Sequence, residues 1–219
     1  MAATEFARQQ MVQQQLRAWD VLDPSVLETF ARLPREQFVP PAYAELAYAD
    51  VEIPLGHGEH MLMPKVAGRI VQSVLPHPTD RVLEIGTGSG FLTAALAAHA
   101  CSVISLERRA DFADRARQAL ASIGVRNVTV VNADAFAPEA LGSQAWDVIV
   151  LGGSLPLPDE RFERQLALGG RMFAVIGSGA IMTAHLIERT AAQAWRRSTL
   201  FETVLPPLVG ARRPETFRF

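Results

Sequence analysis

Apolar and polar positions follow two different periods along this chain. Near the N-terminus the spacing is helical, and residues 4–18 predict a helix with Val12, Leu16 and Trp19 on one stripe. Asp23-Pro24 predicts the start of a second helix, because aspartate suits the N-cap and proline the first turn; Pro34 ends it. Prolines at 40, 41 and 54 remove backbone donors and bias the residues before them away from helix. Segments 38–41 and 50–54 are therefore expected to be irregular or extended. Residues 56–64 predict a loop that feeds a helix with Val66, Ile70, Val71 and Val74 as apolar positions, closed by Pro76 and Pro78.

From Arg81 the pattern changes to strand, glycine-rich turn, helix and strand. Strands are expected at 82–85, 102–106, 128–131, 147–151 and 171–176, and helices at 91–99, 110–123 and near 159–168. Segments 181–190 and 196–205 look like a terminal hairpin. Strands and helices repeating at this spacing predict a largely parallel sheet covered on both faces, with function at the carboxyl ends of its strands.

A chain of 219 residues with 49% hydrophobic content can bury the core of one α/β domain. Residues 1–75 are expected to form an N-terminal helical extension with a substrate-side loop, and 76–219 the core. The formal net charge of -2 gives no broad attraction for nucleic acid or acidic lipid. The single Cys101 excludes an internal disulfide framework, and its flanks predict a small core side chain on a strand. An N-terminus with Glu5, Arg8 and several glutamines lacks a secretory signal, and no apolar stretch reaches membrane-span length, so a cytoplasmic protein is expected.

Candidate chemistry starts at Glu84-Ile85-Gly86-Thr87-Gly88-Ser89-Gly90, between a strand and a helix. Glycine at 86 and 88 lets the backbone approach a ligand, and Gly90 permits close packing as the helix begins. Glu107 ends the next strand, where a carboxylate can accept both hydroxyls of an adenosine ribose. Asp134 follows the third, placed to bond an adenine amino group beside Ala135 and Phe136. Alone, each of these acids also fits a helix cap or a solvated strand end, and the glycine turn by itself also fits a nicotinamide or no ligand at all. Together they point to an adenosine ligand.

The run 82–91, with Ser105-Leu106-Glu107-Arg108, resembles the protein-L-isoaspartate O-methyltransferase family. The similarity extends upstream through Pro34-Arg35-Glu36, Phe38-Val39-Pro40, Ala47-Tyr48-Ala49-Asp50 and Pro54-Leu55-Gly56, and downstream through Gly169-Gly170-Arg171 and 205–210. It implies a Rossmann-like methyltransferase fold with a mostly parallel seven-stranded sheet and an N-terminal helical extension. It also implies S-adenosyl-L-methionine as cofactor, held by Glu84, Gly86, Thr87, Gly88, Gly90, Glu107, Asp134 and Ala135. The implied partner is an isoaspartyl-containing protein or peptide, esterified on its stray α-carboxylate.

Two departures mark the acceptor side. The family's loop reads glycine, glutamine, threonine, isoleucine, serine, glutamine, proline, where this chain has Gly58-Glu59-His60-Met61-Leu62-Met63-Pro64. Leu62 stands at the serine associated with carboxylate recognition, and leucine neither donates nor accepts a hydrogen bond. After the fourth core strand the family's threonine-alanine-alanine run is replaced by Gly152-Gly153-Ser154, which removes a hydroxyl and admits backbone or a bulkier substrate. Substrate contacts are expected from His60, Leu62, Met63, Gly152, Gly153 and Ser154, with His57 or His60 as candidate base. The loop histidines lack acidic or cysteine partners at ligand spacing, so no metal is expected. The alternatives are a small apolar acceptor, or a scaffold or sensor that binds the cofactor without turnover.

Overall fold

A computed structural model describes residues 2–214. Helix α1 (Ala2–Gln10) runs on through a π-helical turn at Met11–Leu16 and a 3-10 turn at Arg17–Trp19. The wide turn, closed by Arg17 N–H on the Val12 carbonyl, brings positions five apart onto one face, and both Met11 and Leu16 are fully buried. Val12 and Leu16 thus reach the core as expected, while Trp19 is only half-buried. Helix α2 (Pro24–Arg32) is capped by the Asp23 carboxylate, which accepts the Ser25 and Val26 N–H groups.

Val39-Pro40 and residues 50–54 are extended or irregular as expected, and the proline-rich stretch turns helically on either side of Val39-Pro40. It forms 3-10 turns at Arg35–Phe38 and Pro41–Leu46, because proline is tolerated in a first helical turn. Strands β1 (Ile53–Gly56) and β2 (Glu59–Met61) make a small antiparallel hairpin where a plain loop was expected. Helix α3 (Pro64–Val74) follows, burying Val66, Ile70, Val71 and Val74.

The core comprises β3 (Arg81–Ile85), α4 (Phe91–Ala97), β4 (Ser102–Glu107), α5 (Ala110–Ser122) and β5 (Val128–Asn132). It continues with β6 (Trp146–Leu155), α6 (Glu160–Glu163), β7 (Leu166–Ser178), β8 (Ile181–Ala191) and β9 (Ala194–Glu202). The order across the seven-stranded sheet is β5-β4-β3-β6-β7-β8-β9; the first four pairings are parallel and the last two antiparallel. Helix α6 is shorter than predicted because β7 begins at Leu166, which pairs with Trp146, and sheet pairing overrides local helical spacing there. Cys101 is exposed and lies just before β4, with its N–H on the Asp80 carbonyl, so it is not the core thiol its flanks suggested.

The chain leaves β3 toward β4 and β5 on one side, then returns to lay β6 on the other. That reversal opens a crevice at the carboxyl ends of β3 and β6, the place where open α/β sheets bind ligands. The N-terminal segment packs onto the same core: Met11, Leu16 and Phe30 share one buried cluster with Phe91, Val103 and Phe173. None of the described helices is long and apolar enough to cross a membrane.

Candidate active site

The loop after β3 is anchored from two directions. Gly86 N–H bonds the Leu106 carbonyl at 2.8 Å, and Gly88 N–H bonds Glu107 Oε2 at 2.9 Å. Beneath it, Glu84 Oε2 accepts the hydroxyls of Thr93 at 2.5 Å and Ser105 at 2.6 Å, and the Ser105 and Thr87 hydroxyls are themselves 2.5 Å apart. Since Ser105 donates to Glu84, Thr87 must donate to Ser105, which ties the loop to a buried carboxyl through a chain of hydroxyls. Burial pushes the Glu84 carboxyl up to about 7, opposed by the two hydroxyls and reinforced by the nearby Glu107.

The cleft runs from Glu107 and Asp134 past the glycine loop to Gly152. Glu107 is buried at the end of β4; Oε2 accepts Gly88 N–H and Oε1 accepts Arg109 N–H, each at 2.9 Å. A carboxylate has about four acceptor sites, so two remain for a vicinal diol. Asp134 Oδ1 accepts Phe136 N–H at 2.9 Å, closing a turn that presents Ala135 and the Phe136 ring to the cleft. A carboxylate set for a diol, a second acid beside an apolar shelf and side-chain-free backbone between them suit an adenosine with a polar tail.

The cleft is also lined by Leu55 and His60 of the hairpin, by Leu62, and by residues 206–209 near the C-terminus. This last segment docks along β6: Ser154 N–H bonds the Pro206 carbonyl and Leu208 N–H bonds the Ser154 carbonyl, both at 2.9 Å. The glycines of β6 permit it. A Cβ at Gly152 would stand 2.9 Å from the Gly86 carbonyl oxygen, and one at Gly153 would stand 2.9 Å from that of Pro206. The Gly152-Gly153 departure therefore admits the protein's own backbone, one of the two options it left open.

Several predicted site residues lie off the cleft. Glu84 and Thr87 act from below the loop, and Gly90 faces α5, where a Cβ would meet that of Ala116 at 3.1 Å. Ser154 is fully buried, and its hydroxyl donates to the Leu205 carbonyl at 2.8 Å. Met63 caps α3 and packs against the core, turned inward by the helix it begins. His57 sits in the left-handed turn of the hairpin, with its ring against Phe112 and Nε2 3.5 Å from Asp111 Oδ2, away from the cleft. Of the two candidate bases only His60 borders the cleft. Gly86, Gly88, Glu107, Asp134 and Ala135 line it, as do His60, Leu62, Gly152 and Gly153, with Gly152 directly against Gly86.

Sequence reasoning overlooked Arg108 and Arg109, which flank the Glu107–Asp134 end, and gave no site role to Arg35. The only signal for the first two was their position right after Glu107. Arg35 is fully buried, a state that a charged residue within a proline-rich stretch does not announce.

A family model described as Protein-L-isoaspartate(D-aspartate) O-methyltransferase matches residues 7–213. The chain belongs to this family. It is accordingly an S-adenosyl-L-methionine-dependent methyltransferase of the protein-L-isoaspartate O-methyltransferase type. Protein-L-isoaspartate O-methyltransferase 1 of Rhodopseudomonas palustris is 36% identical over 217 residues, covering 95% of this chain and 86% of that protein. The Koribacter versatilis protein-L-isoaspartate O-methyltransferase is 35% identical over 210 residues, covering 94% and 93%. Among solved structures, a Plasmodium falciparum chain described as a protein-L-isoaspartate O-methyltransferase in complex with S-adenosyl-L-homocysteine superposes with a TM-score of 0.77 at 19% identity. That match covers 92% of this chain and 97% of the other, and it shows the shared fold.

Proposed function

We propose that this family member works in the cytoplasm and methylates the carboxylate of an isoaspartyl-type acceptor, with recognition altered at Leu62. The observation that carries this reading is the single cleft that Glu107, the glycine loop, His60 and Leu62 line together. S-adenosyl-L-methionine, when bound, supplies an electrophilic methyl group on a sulfonium. Glu107 would hold its ribose, Asp134 and Ala135 its adenine, and the backbone at Gly86 and Gly88 its tail, while Glu84, Thr87 and Gly90 keep the loop in shape.

The protein's task is then largely positioning. An acceptor carboxylate is already anionic near neutral pH and needs no base, so alignment and exclusion of water supply the rate. Segment 1–75 serves the acceptor side through Leu55, His60 and Leu62, and residues 206–209 line the same cleft. A second reading, transfer to a small apolar acceptor, draws support from Leu55, Leu62 and Val209 in that cleft. His60 is then the histidine placed to take a proton.

Transfer of a labelled methyl group from S-adenosyl-L-methionine to an isoaspartyl peptide, and to small molecules from a cell extract, separates the two. Label on the peptide, lost when its α-carboxylate is amidated, is the expected result. Label only in the small-molecule fraction favours the second reading, and tight cofactor binding with no label anywhere removes both.

A further inference from the structure

Arg35 is fully buried, and it has no carboxylate within 4 Å among the described residues. Its Nε donates to the Ala47 carbonyl at 2.7 Å and its Nη2 to the Leu62 carbonyl at 2.6 Å. The guanidinium carbon lies 4.7 Å from the centre of the Phe91 ring. Nη1, buried as well, has no hydrogen-bond partner among the described residues. Burial lowers the guanidinium to about 9, which still leaves it charged at neutral pH. A buried cation held only by carbonyl dipoles and a ring face is incompletely compensated, and an orphaned charged donor is costly.

The location gives that cost a use. Arg35 borders a recess shared with His60, Leu62, Gly86, Gly88 and Gly152, all of which also line the main cleft. Leu62, at the position where the family carries its serine, is the residue whose backbone Arg35 grips, and Nη1 shares a carbon with the nitrogen that grips it. Arg108 and Arg109 also line the cleft, but each has an acid as neighbour, Asp134 at 4.0 Å and Glu59 at 3.9 Å respectively. We propose that Arg35 is a specificity-determining residue whose Nη1 donates to the anionic group of the acceptor, in place of the hydroxyl that Leu62 cannot supply. The inference rests on the carboxylate-acceptor reading above. It goes further by assigning anion recognition to a side chain from the N-terminal extension.

The test uses the full chain saturated with S-adenosyl-L-homocysteine and labelled in its arginine guanidinium nitrogens, with Arg35 resonances assigned by their loss in Arg35→Lys. Acetate is titrated first, then an isoaspartyl peptide, then the same peptide with its α-carboxylate amidated. The Arg35 signal is expected to move and saturate with acetate and with the free-acid peptide, and to stay still with the amide. The free acid should bind roughly tenfold or more tightly than the amide, a preference that Arg35→Met abolishes while leaving S-adenosyl-L-homocysteine affinity in place. A merely structural arginine would weaken both peptides alike.

An Arg35 signal silent to acetate and peptide, in a protein that methylates the peptide, overturns the inference and leaves the methyltransferase reading standing. A signal that follows acetate, in a protein that neither binds nor methylates the peptide, supports the anion site and removes the isoaspartyl reading. Should Arg35→Met fail to fold, the titrations on the parent decide alone.

Discussion

Glu107 Oε2 accepts the Gly88 N–H at 2.9 Å, so a carboxylate at the end of β4 holds the glycine loop that follows β3. One side chain thus shapes the loop and offers its free acceptor sites to a diol. Glu107→Ala removes both functions, each a hydrogen bond to a charged group worth about 1.5–3 kcal/mol. Calorimetry with S-adenosyl-L-homocysteine should show affinity falling by roughly ten- to a hundredfold. Unchanged affinity would rule out the ribose assignment.

Glu84 makes stability depend on pH in the opposite sense to an ordinary ion-paired carboxylate. Its folded value is raised from 4.5 to about 7, chiefly by burial. Between those values the unfolded chain has released a proton that the folded protein keeps. The group's contribution is therefore complete below pH 4.5 and is lost as pH rises to about 7, at up to about 1.4 kcal/mol per pH unit. Urea denaturation curves collected across that range should show the decline in the parent and a flatter profile in Glu84→Gln. A parallel decline in both would assign the effect to other groups.

Leu62 borders the cleft, whereas Met63 packs against the core beside α3. Leu62→Ser should raise kcat/KM for an isoaspartyl peptide by about tenfold, the worth of one hydrogen bond to a charged group, with cofactor affinity unchanged. Met63→Gln should add nothing to turnover and should cost stability, because it puts an amide against apolar neighbours. If the parent is already efficient and Leu62→Ser slows it, the apolar side chain is itself part of the recognition.

Gly153 admits the C-terminal segment. A Cβ there would stand 2.9 Å from the Pro206 carbonyl oxygen and 3.0 Å from Leu208 Cδ2. Gly153→Ala should push residues 206–208 off β6 and cost about 1–3 kcal/mol in thermal or urea denaturation. Acceptor KM should rise with it, because that segment lines the cleft. Full stability and unchanged KM would show that the segment shifts without consequence.

The sequence by itself determined the alternation of strand, glycine turn and helix from Arg81 onward, and with it the parallel sheet and the place of its ligand crevice. Those features are local: strand and helix periods, a glycine turn and acids at strand ends are written within a few residues of one another. Glu107 and Asp134 were legible for that reason, and Leu62 only through the resemblance to the family's loop. The direction of a side chain was not, because it depends on partners far along the chain. Glu84 and Thr87 turn inward toward Ser105, 21 and 18 residues away. Ser154 turns toward Leu205, 51 residues on. His57 and His60 are three apart, yet the left-handed turn at 57 puts one outside the cleft and the strand that follows puts the other on its wall. Only the tertiary structure decided that Arg35 is buried behind Leu62 with a donor to spare, since burial of a charge follows from which loops close over it.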